Sequence, residues 1–491
     1  MLDWLAARAA ASPGKPALEW PPDKRLRFAD LSERAGRWSA WLRTQGVRRG
    51  DRVALLLETS SESAALVFAV MRTGAVLVPL NTRLSVRELR YQLRHAEAKL
   101  LLSSVAFESQ VQRLQTEATC VFVGDPVVQA RLTLLTPLRE GRIRLDATFC
   151  LMFTSGTTGA PKAVRLSLGN FFYSANASAY RLSLSEHDLW LCTLPLYHVG
   201  GLSILLRSCL YGTGVRLEPF DPAQTARTLA TRRVSLVSLV PTMLYRLLQE
   251  PLKPSATLRH ILLGGAAASE TLLAEAQERA LPVATTYGLT EACSQVATAA
   301  AGVSFAKPGT VGKPLMFTEL KVTTLSENGA EGEPAPPETS GELWVRGPSV
   351  MQGYLNSPDA NADVLRAGWL RTGDMGYLDE EGDLFVVQRR RDLIISGGEN
   401  VYPAEVESVL AKHPQVTDVS VLGIEHPEWG QQVVAAVVIS GEGEGLEASL
   451  DTYCRRHLAA YKCPRQYRAV KALPLTASGK VKKHELVGLF D

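Results

Sequence analysis

The residues best suited to chemistry stand together in one short segment, 154–162, which has the sequence TSGTTGAPK. The segment combines two glycines, four hydroxyl residues and one lysine, and it follows a mostly apolar run at 147–153. Glycines let main-chain N–H groups approach a polyphosphate closely, hydroxyls can donate hydrogen bonds to it, and a lysine neutralises its charge. The spacing is Gly-x-x-Gly-x-x-Lys, which differs from that of a Walker A loop. This pattern predicts a phosphate-binding loop; a polar flexible linker is the alternative.

Segment 154–162 resembles the phosphate loop of the acyl-adenylate-forming superfamily, which includes acyl-CoA synthetases, luciferases and the adenylation domains of peptide synthetases. Each motif of this superfamily is a weak signal alone, but six in the right order leave little room for coincidence. The resemblance covers essentially the whole chain, and it implies an enzyme that activates a carboxylic acid with ATP and Mg²⁺ before transferring it to CoA. The five further matching segments are 287–291, 368–374, 389–395, 397–407 and 474–480.

The resemblance assigns the phosphates and the metal to four residues. Activating an acid with ATP brings two anions together, so donors and cations must offset their repulsion. Thr154, Thr158 and Thr290 would hydrogen-bond phosphates, and Thr290 would count among the catalytic residues. Glu291 would hold Mg²⁺. Outside the family context, a lone glutamate after a threonine would be predicted to cap a helix.

The nucleoside is assigned by the same resemblance. Asp374 would accept hydrogen bonds from both ribose hydroxyls, although a Gly-Asp pair alone would predict only a turn. Tyr287 would offer a face on which adenine stacks, and Gly265 with Ala266 would let the main chain pass close to the base. Arg389 would assist at the ribose or the phosphates. The other residues assigned to ATP are Ser155, Gly156, Thr157, Gly159, Lys162 and Gly288.

Two catalytic steps are expected from two faces of a small C-terminal domain. The resemblance implies that Lys480 reaches from this domain to stabilise charge while the carboxylate attacks the α-phosphate. The domain would then rotate about a hinge at Arg391 and present its other face for attack by a thiol. Gly397 and Gly398 belong to that second face, where small residues would admit the pantetheine arm of CoA. By residue type alone, Lys480 would be an ordinary solvated lysine.

The acid would bind at segment 194–203, which lines the acyl pocket in this superfamily. The segment holds no acidic residue that could pair with an α-ammonium group, which counts against an amino-acid adenylation domain. His198 is a candidate for catalysis and substrate binding, with Gly200 leaving space beside it. A lone histidine is more often structural, and that alternative stays open for His198.

Three stretches, 195–212, 287–296 and 396–407, look most like the bacterial 2-succinylbenzoate–CoA ligases of menaquinone biosynthesis. This substrate has two carboxylates, so the one that is not activated needs hydrogen-bond donors. Ser294 and Gln295 are the candidates by side-chain type, and Arg207 is a weaker one. Another aryl- or medium-chain acyl-CoA synthetase is the nearer alternative. A non-catalytic nucleotide-binding regulator on the same scaffold is the more distant one.

Composition excludes several other classes of protein. The 491 residues carry 53 Lys and Arg against 50 Asp and Glu, and a formal net charge of +3 does not suggest a nucleic-acid or membrane partner. The seven cysteines form no CxxC pair, which favours reduced thiols. The most apolar stretch, 64–80, is interrupted by Arg72 and Gly74 and is too short to span a bilayer. These features predict a soluble cytoplasmic protein that binds small molecules, with a homo-oligomer left open.

The elements that would position these residues follow from hydrophobic patterning. Residues 51–287 alternate short apolar runs with helix-like segments, which predicts mostly parallel α/β sheets, two of them. After residue 309 the pattern changes to glycine-punctuated strands with an exposed loop at 331–338. The last hundred residues have α+β character, including a helix at 449–460 with Ser449 as a possible N-cap. We therefore expect an N-terminal AMP-binding domain, 1–390, with two α/β subdomains and a β-rich one, and a mobile C-terminal cap, 391–491.

Overall fold

The computed structural model describes residues 2–154, 161–300, 302–325, 331–388, 393–440, 445–474 and 481–490. Its helices are α1 (Trp4–Ala11), α2 (Phe28–Thr44), α3 (Ser61–Thr73), α4 (Val86–His95), α5 (Glu108–Gln112), α6 (Pro126–Leu134), α7 (Leu168–Arg181), α8 (Val199–Tyr211), α9 (Pro222–Thr231), α10 (Pro241–Leu248), α11 (Glu270–Glu278), α12 (Val303–Ala306), α13 (Pro358–Val364), α14 (Pro403–Leu410), α15 (Leu446–His457) and α16 (Lys483–Leu486). The strands are β1 (Pro16–Trp20), β2 (Lys24–Arg27), β3 (Arg52–Leu56), β4 (Val76–Pro79), β5 (Leu100–Ser103), β6 (Thr119–Phe122), β7 (Thr148–Thr154), β8 (Lys162–Ser167), β9 (Leu189–Cys192), β10 (Gly214–Leu217), β11 (Leu236–Leu239), β12 (His260–Leu263), β13 (Val283–Leu289), β14 (Ser294–Thr298), β15 (Lys313–Pro314), β16 (Glu319–Leu325), β17 (Glu331–Pro334), β18 (Gly341–Arg346), β19 (Leu365–Arg366), β20 (Trp369–Leu378), β21 (Leu384–Gln388), β22 (Ile394–Ser396), β23 (Glu399–Val401), β24 (Val416–His426), β25 (Gly430–Ile439) and β26 (Gln466–Ala469).

Two sheets form the α/β part of the molecule. The first has the strand order β6-β5-β3-β4-β7-β8, and its neighbours are parallel except for the hairpin of β7 and β8. The second has the order β15-β14-β13-β12-β11-β9-β10-β1-β2, with parallel pairing from β13 through to β1. Strands such as β4 and β11 are buried along their whole length because helices cover both faces. The predicted pair of largely parallel α/β sheets is confirmed.

Helix α4 shows how local sequence fixes the bounds of an element on the first sheet. Ser85 and Glu88 form a capping box, in which the Ser85 hydroxyl accepts from the Glu88 main-chain N–H and the Glu88 carboxylate accepts from the Ser85 N–H. This pairing satisfies two donors that a helix N-terminus otherwise leaves without partners. The helix therefore begins at a defined residue, and the Glu88 side chain is held in one orientation.

The β-rich subdomain is an antiparallel sheet of order β17-β16-β18-β20-β19, with β21 also paired to β20. The predicted exposed loop at 331–338 is wrong in part. Glu331–Pro334 forms β17 and pairs with β16, with Thr323 opposite Pro334. A proline is tolerated there because β17 is an edge strand, and the missing N–H removes no ladder hydrogen bond from the sheet interior.

The C-terminal cap is an α+β unit with a core of its own. Its sheet has the order β23-β22-β25-β24, and β26 pairs in parallel with β25. Helix α15 begins earlier than predicted: Gly445, at φ +70°, occupies the N-cap position, and the Ser449 hydroxyl contacts Nε2 of His413 at 3.1 Å instead. The boundary predicted at 390/391 and the hinge at Arg391 fall in 389–392, outside the described residues, so both stay predictions. Across the part of the chain that the structure describes, no helix is long and apolar enough to cross a membrane.

Candidate active site

A cavity of about 220 Å³ lies where both α/β sheets, the β-rich subdomain and the cap meet. This volume far exceeds the space that one water molecule needs, so the cavity is a candidate ligand site. Three adjacent parallel strands, β11, β12 and β13, end at its wall. The carboxyl ends of parallel strands meet at one edge of a sheet, which is where ligands of open α/β folds bind. The residues that immediately follow these strands and line the cavity are Val240, Gly264, Gly265, Thr290 and Glu291.

Gly265 lets the main chain turn at the rim of the cavity. Its φ is +87°, and a Cβ added there would come within 3.1 Å of Val240 Cγ1. A residue with a side chain would be strained in this conformation. Gly265 thus lies in the cavity wall, whereas Ala266 is half-buried and is not part of the described wall; the close passage of the main chain to a base stays a prediction.

Asp374 and Tyr287 are brought together from different subdomains. The Tyr287 hydroxyl donates to Oδ2 of Asp374 at 2.6 Å, and both side chains are buried. Asp374 and Gly288 line the cavity, whereas the Tyr287 ring is not part of the described wall. Tyr287 thus fixes the carboxylate that was predicted to bind ribose. Stacking of adenine on its ring stays a prediction.

Glu291 is the candidate for the metal. It lies in the 3₁₀ turn Thr290–Ala292, is buried, and accepts a hydrogen bond from the Tyr354 hydroxyl at 2.8 Å. Thr154 and Thr290 line the same cavity, and the Nζ of Lys162 lies 5.3 Å from the centre of the Tyr354 ring. Carboxylate and hydroxyl oxygens are the protein ligands that Mg²⁺ prefers. The donors present at this position therefore fit the predicted ion.

Helix α8 contributes one of its faces to the cavity wall. Gly200, Ile204 and Arg207 line the cavity, and their spacing places them one turn apart along the same side of the helix. A Cβ on Gly200 would come within 3.2 Å of Leu194 Cδ1, so the glycine lets Leu194 pack closely at this end of the wall. The placement agrees with the prediction that segment 194–203 lines an acyl pocket.

His198 precedes α8 and contacts the cap. Its Nε2 lies 3.3 Å from Oε2 of Glu399, and the other oxygen of Glu399 accepts from Arg83 at 3.0 Å. Burial raises the pKa of the Glu399 carboxyl, but the charges of His198 and Arg83 outweigh it and hold that pKa below its ordinary value. His198 therefore stands in the cavity wall, as predicted, and also joins that wall to the cap.

Ser294 and Gln295, predicted as donors, have different surroundings. Cys293 and Ser294 both have positive φ, +54° and +95°, and this sharp turn places Ser294 in the cavity wall. Gln295 also borders the cavity, but its amide group is engaged inside the protein: Nε2 donates to Thr298 at 2.8 Å, and Oε1 accepts from Ser178 at 2.5 Å. These bonds weigh against Gln295 as a direct donor to a substrate and leave Ser294 as the better candidate of the two.

Arg207, the weaker donor candidate from the sequence, has a distinctive setting in the cavity wall. It is 1% exposed and lines the cavity, and its guanidinium packs 5.0 Å from the centre of the Trp190 ring. Its Nε has no hydrogen-bond partner, and no carboxylate of the described residues forms a salt bridge with it. Burial lowers its pKa to about 10, which leaves it positively charged at neutral pH. The cavity wall thus contains a desolvated cation that a bound anion could neutralise.

The cap closes the cavity with its glycine-rich turn. Gly398, Asn400 and Tyr402 line the cavity, and Gly398 has φ +82°. A Cβ on Gly398 would come within 2.9 Å of Val240 Cγ2, so only glycine fits this contact without displacement. Gly397 lies beside it, and its N–H donates to the Trp429 carbonyl at 2.9 Å. The face predicted to serve CoA is therefore the one that meets the N-terminal part of the chain.

Several predicted residues fall outside the described residues, and their roles stay predictions. They are Ser155, Gly156, Thr157, Thr158, Gly159, Arg389 and Lys480.

Family models account for most of the chain. The model of the AMP-binding enzyme matches residues 5–355, and that of the AMP-binding enzyme C-terminal domain matches 405–480. The chain belongs to the AMP-binding enzyme family. It is 41% identical over 485 residues to the 2-succinylbenzoate–CoA ligase of Bacillus licheniformis, and the match covers 99% of each chain.

Solved structures of one similar enzyme match this chain to different degrees. A double mutant of o-succinylbenzoate CoA synthetase (MenE) from Bacillus subtilis, bound with its product analogue OSB-NCoA, has a TM-score of 0.91 at 38% identity, covering 99% of this chain and 98% of that chain. The same enzyme with the acyl-adenylate OSB-AMP gives 0.74 at 38% identity, with the same two coverages. Its complex with ATP and magnesium ion also gives 0.74 at 38% identity, covering 99% of each chain. Since identity and coverage hardly change, the overall arrangement of this chain is more similar to that of the product-analogue complex than to that of the other two complexes.

Proposed function

We propose that this protein is an acid–thiol ligase that converts 2-succinylbenzoate, ATP and CoA into 2-succinylbenzoyl-CoA, AMP and diphosphate. The reaction passes through an acyl-adenylate and serves menaquinone biosynthesis. Similarity over the whole chain to ligases of this name supports the reaction. One observation on the chain itself, the buried cation at Arg207, supports the choice of acid.

Arg207 favours an acid with a second negative charge. Removing a guanidinium from water without an anionic partner costs free energy, and a substrate carboxylate in the cavity would offset that cost. An aryl or medium-chain monocarboxylate uses its only carboxylate in the reaction and has none left for Arg207. 2-Succinylbenzoate has one carboxylate that can be activated and a second that can pair with Arg207. Ser294 lines the same cavity, and its hydroxyl can donate a hydrogen bond to either carboxylate of the acid.

The remaining residues fit the two half-reactions. In the first, Asp374, fixed by Tyr287, accepts from the ribose, while Thr290 and the loop 154–162 donate to the phosphates and Lys480 offsets the charge that develops. Glu291 would hold Mg²⁺, which supplies further positive charge beside the phosphates. In the second, Gly397 and Gly398 leave room for the pantetheine arm, and His198 lies between the acid and the cap. The rotation of the cap exchanges Lys480 for the glycine-rich turn.

A panel of acids tests the proposal. Diphosphate release would be measured with 2-succinylbenzoate, benzoate, coumarate and octanoate, each with ATP, Mg²⁺ and CoA. We expect the highest kcat/KM for 2-succinylbenzoate. A preference for a monocarboxylate would transfer the assignment to another aryl- or medium-chain acyl-CoA synthetase. If no acid supported ATP–diphosphate exchange, the result would favour the alternative of a non-catalytic nucleotide-binding regulator.

The proposal extends to the location of the enzyme and the division of its chain. A cytoplasmic location agrees with soluble substrates and with buried, unpaired cysteines such as Cys150 and Cys209. We also propose the division into an AMP-binding domain, 1–390, and a cap, 391–491. A homo-oligomer stays a prediction that gel filtration with light scattering would test.

A further inference from the structure

A buried ion cluster joins the cap to helix α4, away from the cavity. Nζ of Lys462, in the cap, donates to Oε1 of Glu88 at 2.6 Å and to Oε1 of Glu405 at 2.8 Å. The three side chains are only 4%, 7% and 6% exposed, respectively. Glu405 and Lys462 both belong to the cap, whereas Glu88 belongs to the N-terminal part. The contact of Lys462 with Glu88 is therefore the one that joins the cap to the N-terminal part of the chain.

The geometry of Glu88 is fixed before the cap arrives. One carboxylate oxygen accepts from the Ser85 N–H at 2.8 Å in the capping box, and the other faces Lys462. A side chain held in this way loses little conformational entropy when it forms the ion pair. A hydrogen bond between charged groups is stronger than one between neutral groups, and the interior of a protein strengthens it electrostatically relative to water. Docking of the cap is consequently sensitive to this one carboxylate.

Neighbouring contacts show that this part of the cap fits the surface around α4 closely. The Ser85 hydroxyl donates to the His457 carbonyl at 3.2 Å, and the Arg83 guanidinium lies 4.9 Å from the centre of the Tyr461 ring. Ala459 of the cap is buried in the same hydrophobic cluster as Leu89 of α4. The Glu88 contact is thus part of a formed interface that involves polar, aromatic and apolar groups.

We propose that Glu88 is a positioning residue for the thioester-forming half-reaction, acting through Lys462 to hold the cap with Gly398 against the cavity. Cys463, the neighbour of Lys462, packs in one hydrophobic cluster with Val401, close after Gly398. Because they share this core, fixing Lys462 also fixes the glycine-rich turn. When the cap rotates to bring Lys480 to the cavity, Lys462 leaves Glu88. The role rests on the proposed function, and it predicts that Glu88 matters in the second half-reaction and not in the first.

Glu88→Gln is the direct test. Glutamine keeps an oxygen for the Ser85 N–H, so the capping box and the helix are retained, while the charge facing Lys462 is lost. Glu97→Gln is the matched control: Glu97 follows the same helix and pairs with Arg52 at 2.7 Å, but its side chain is 71% exposed. ATP–diphosphate exchange would report the first half-reaction. Conversion of prepared acyl-adenylate by CoA, at CoA concentrations below KM, would report the second.

We expect Glu88→Gln to keep ATP–diphosphate exchange within about twofold of wild type and to lower kcat/KM for CoA about tenfold or more. Glu97→Gln should change neither. In a Lys462→Met background, Glu88→Gln should cause no further loss, because the partner is already absent. Equal losses in both half-reactions, or an unchanged kcat/KM for CoA, would overturn the proposal. A wild type that never exchanges diphosphate with any acid would instead refute the proposed function, and the role of Glu88 with it.

Discussion

Arg207→Met removes the buried charge that supports the choice of acid and leaves an unbranched apolar side chain about as long as the stem of the arginine. Burial lowers the pKa of Arg207 from 12.5 to about 10. At 1.36 kcal/mol per pKa unit, this corresponds to about 3 kcal/mol by which the folded state disfavours the charged form. The cost is present at every pH below about 10, where the group is protonated both folded and unfolded. We therefore expect the variant to have a Tm no lower than that of wild type at pH 7.

The same substitution that does not lower Tm should impair the use of the substrate. A hydrogen bond to a charged group contributes about 1.5–3 kcal/mol, which corresponds to about 10–100-fold in binding. We expect Arg207→Met to lower kcat/KM for 2-succinylbenzoate by this factor and to affect a monocarboxylate analogue much less. The assay is diphosphate release with 2-succinylbenzoate and with the two analogues that each lack one of its carboxylates. Wild type should prefer 2-succinylbenzoate to the analogue that keeps only the carboxylate that reacts. In the variant, this preference should almost disappear.

A matched control separates recognition from folding. Arg216 is also buried, but its Nε pairs with Glu218 at 3.0 Å. Arg216→Met leaves a buried carboxylate without its cation, so it should lower Tm and leave the preference between acids unchanged. Arg207→Met could instead lose activity equally with 2-succinylbenzoate and with the analogue that keeps only the reacting carboxylate. In that case the guanidinium would not contact the second carboxylate, and the reasoning would fail.

Four further results are expected. Lys480→Ala should lower ATP–diphosphate exchange about 100-fold or more and change thioester formation from prepared acyl-adenylate far less, since the lysine acts only in the first step; equal losses would contradict that role. His198→Ala should lower kcat/KM for the acid about tenfold in diphosphate release, and an unaltered value would make the histidine structural. Ser294→Ala should raise KM for 2-succinylbenzoate severalfold, whereas Gln295→Ala should chiefly lower Tm, because its amide bonds lie inside the protein. A thiol reagent should modify Cys120 first in the native protein, since the other cysteines are buried; rapid modification of several thiols would indicate a more open fold.

Much of the fold could be predicted because its signals are local. Continuous apolar runs such as that of β4 belong to strands covered on both faces, and glycine spacing marks the turns at the site. The strand at 331–334 was missed because Pro334 and the two prolines shortly after it favour a loop, and only pairing with β16 makes it an edge strand. The N-terminus of α15 was misplaced because Ser449 offered the stronger capping signal in the sequence. The N-cap residue is instead Gly445, at φ +70°, four residues earlier.

The candidate site was predictable in its motifs and less so in its contacts. Asp374 and Glu291 stand in recognisable segments, whereas the Tyr287 hydroxyl that fixes Asp374 is 87 residues away in the chain. Glu88 and Lys462 are 374 residues apart, and no local pattern links them. Arg207 ranked low because sequence does not show whether a buried charge has a partner. That property depends on what every neighbouring element places around the guanidinium.

Helix α8 has a consequence for how such an enzyme could change over time. In the proposed function, the wall beside the acid would come from positions one turn apart on this single helix, at Gly200, Ile204 and Arg207, while the nucleotide side would come from strand ends and from Asp374. Substitutions along one helical stripe would alter the depth and polarity available to an acid and leave the ATP chemistry in place. New acid preferences could thus arise by few mutations on an inherited adenylating scaffold.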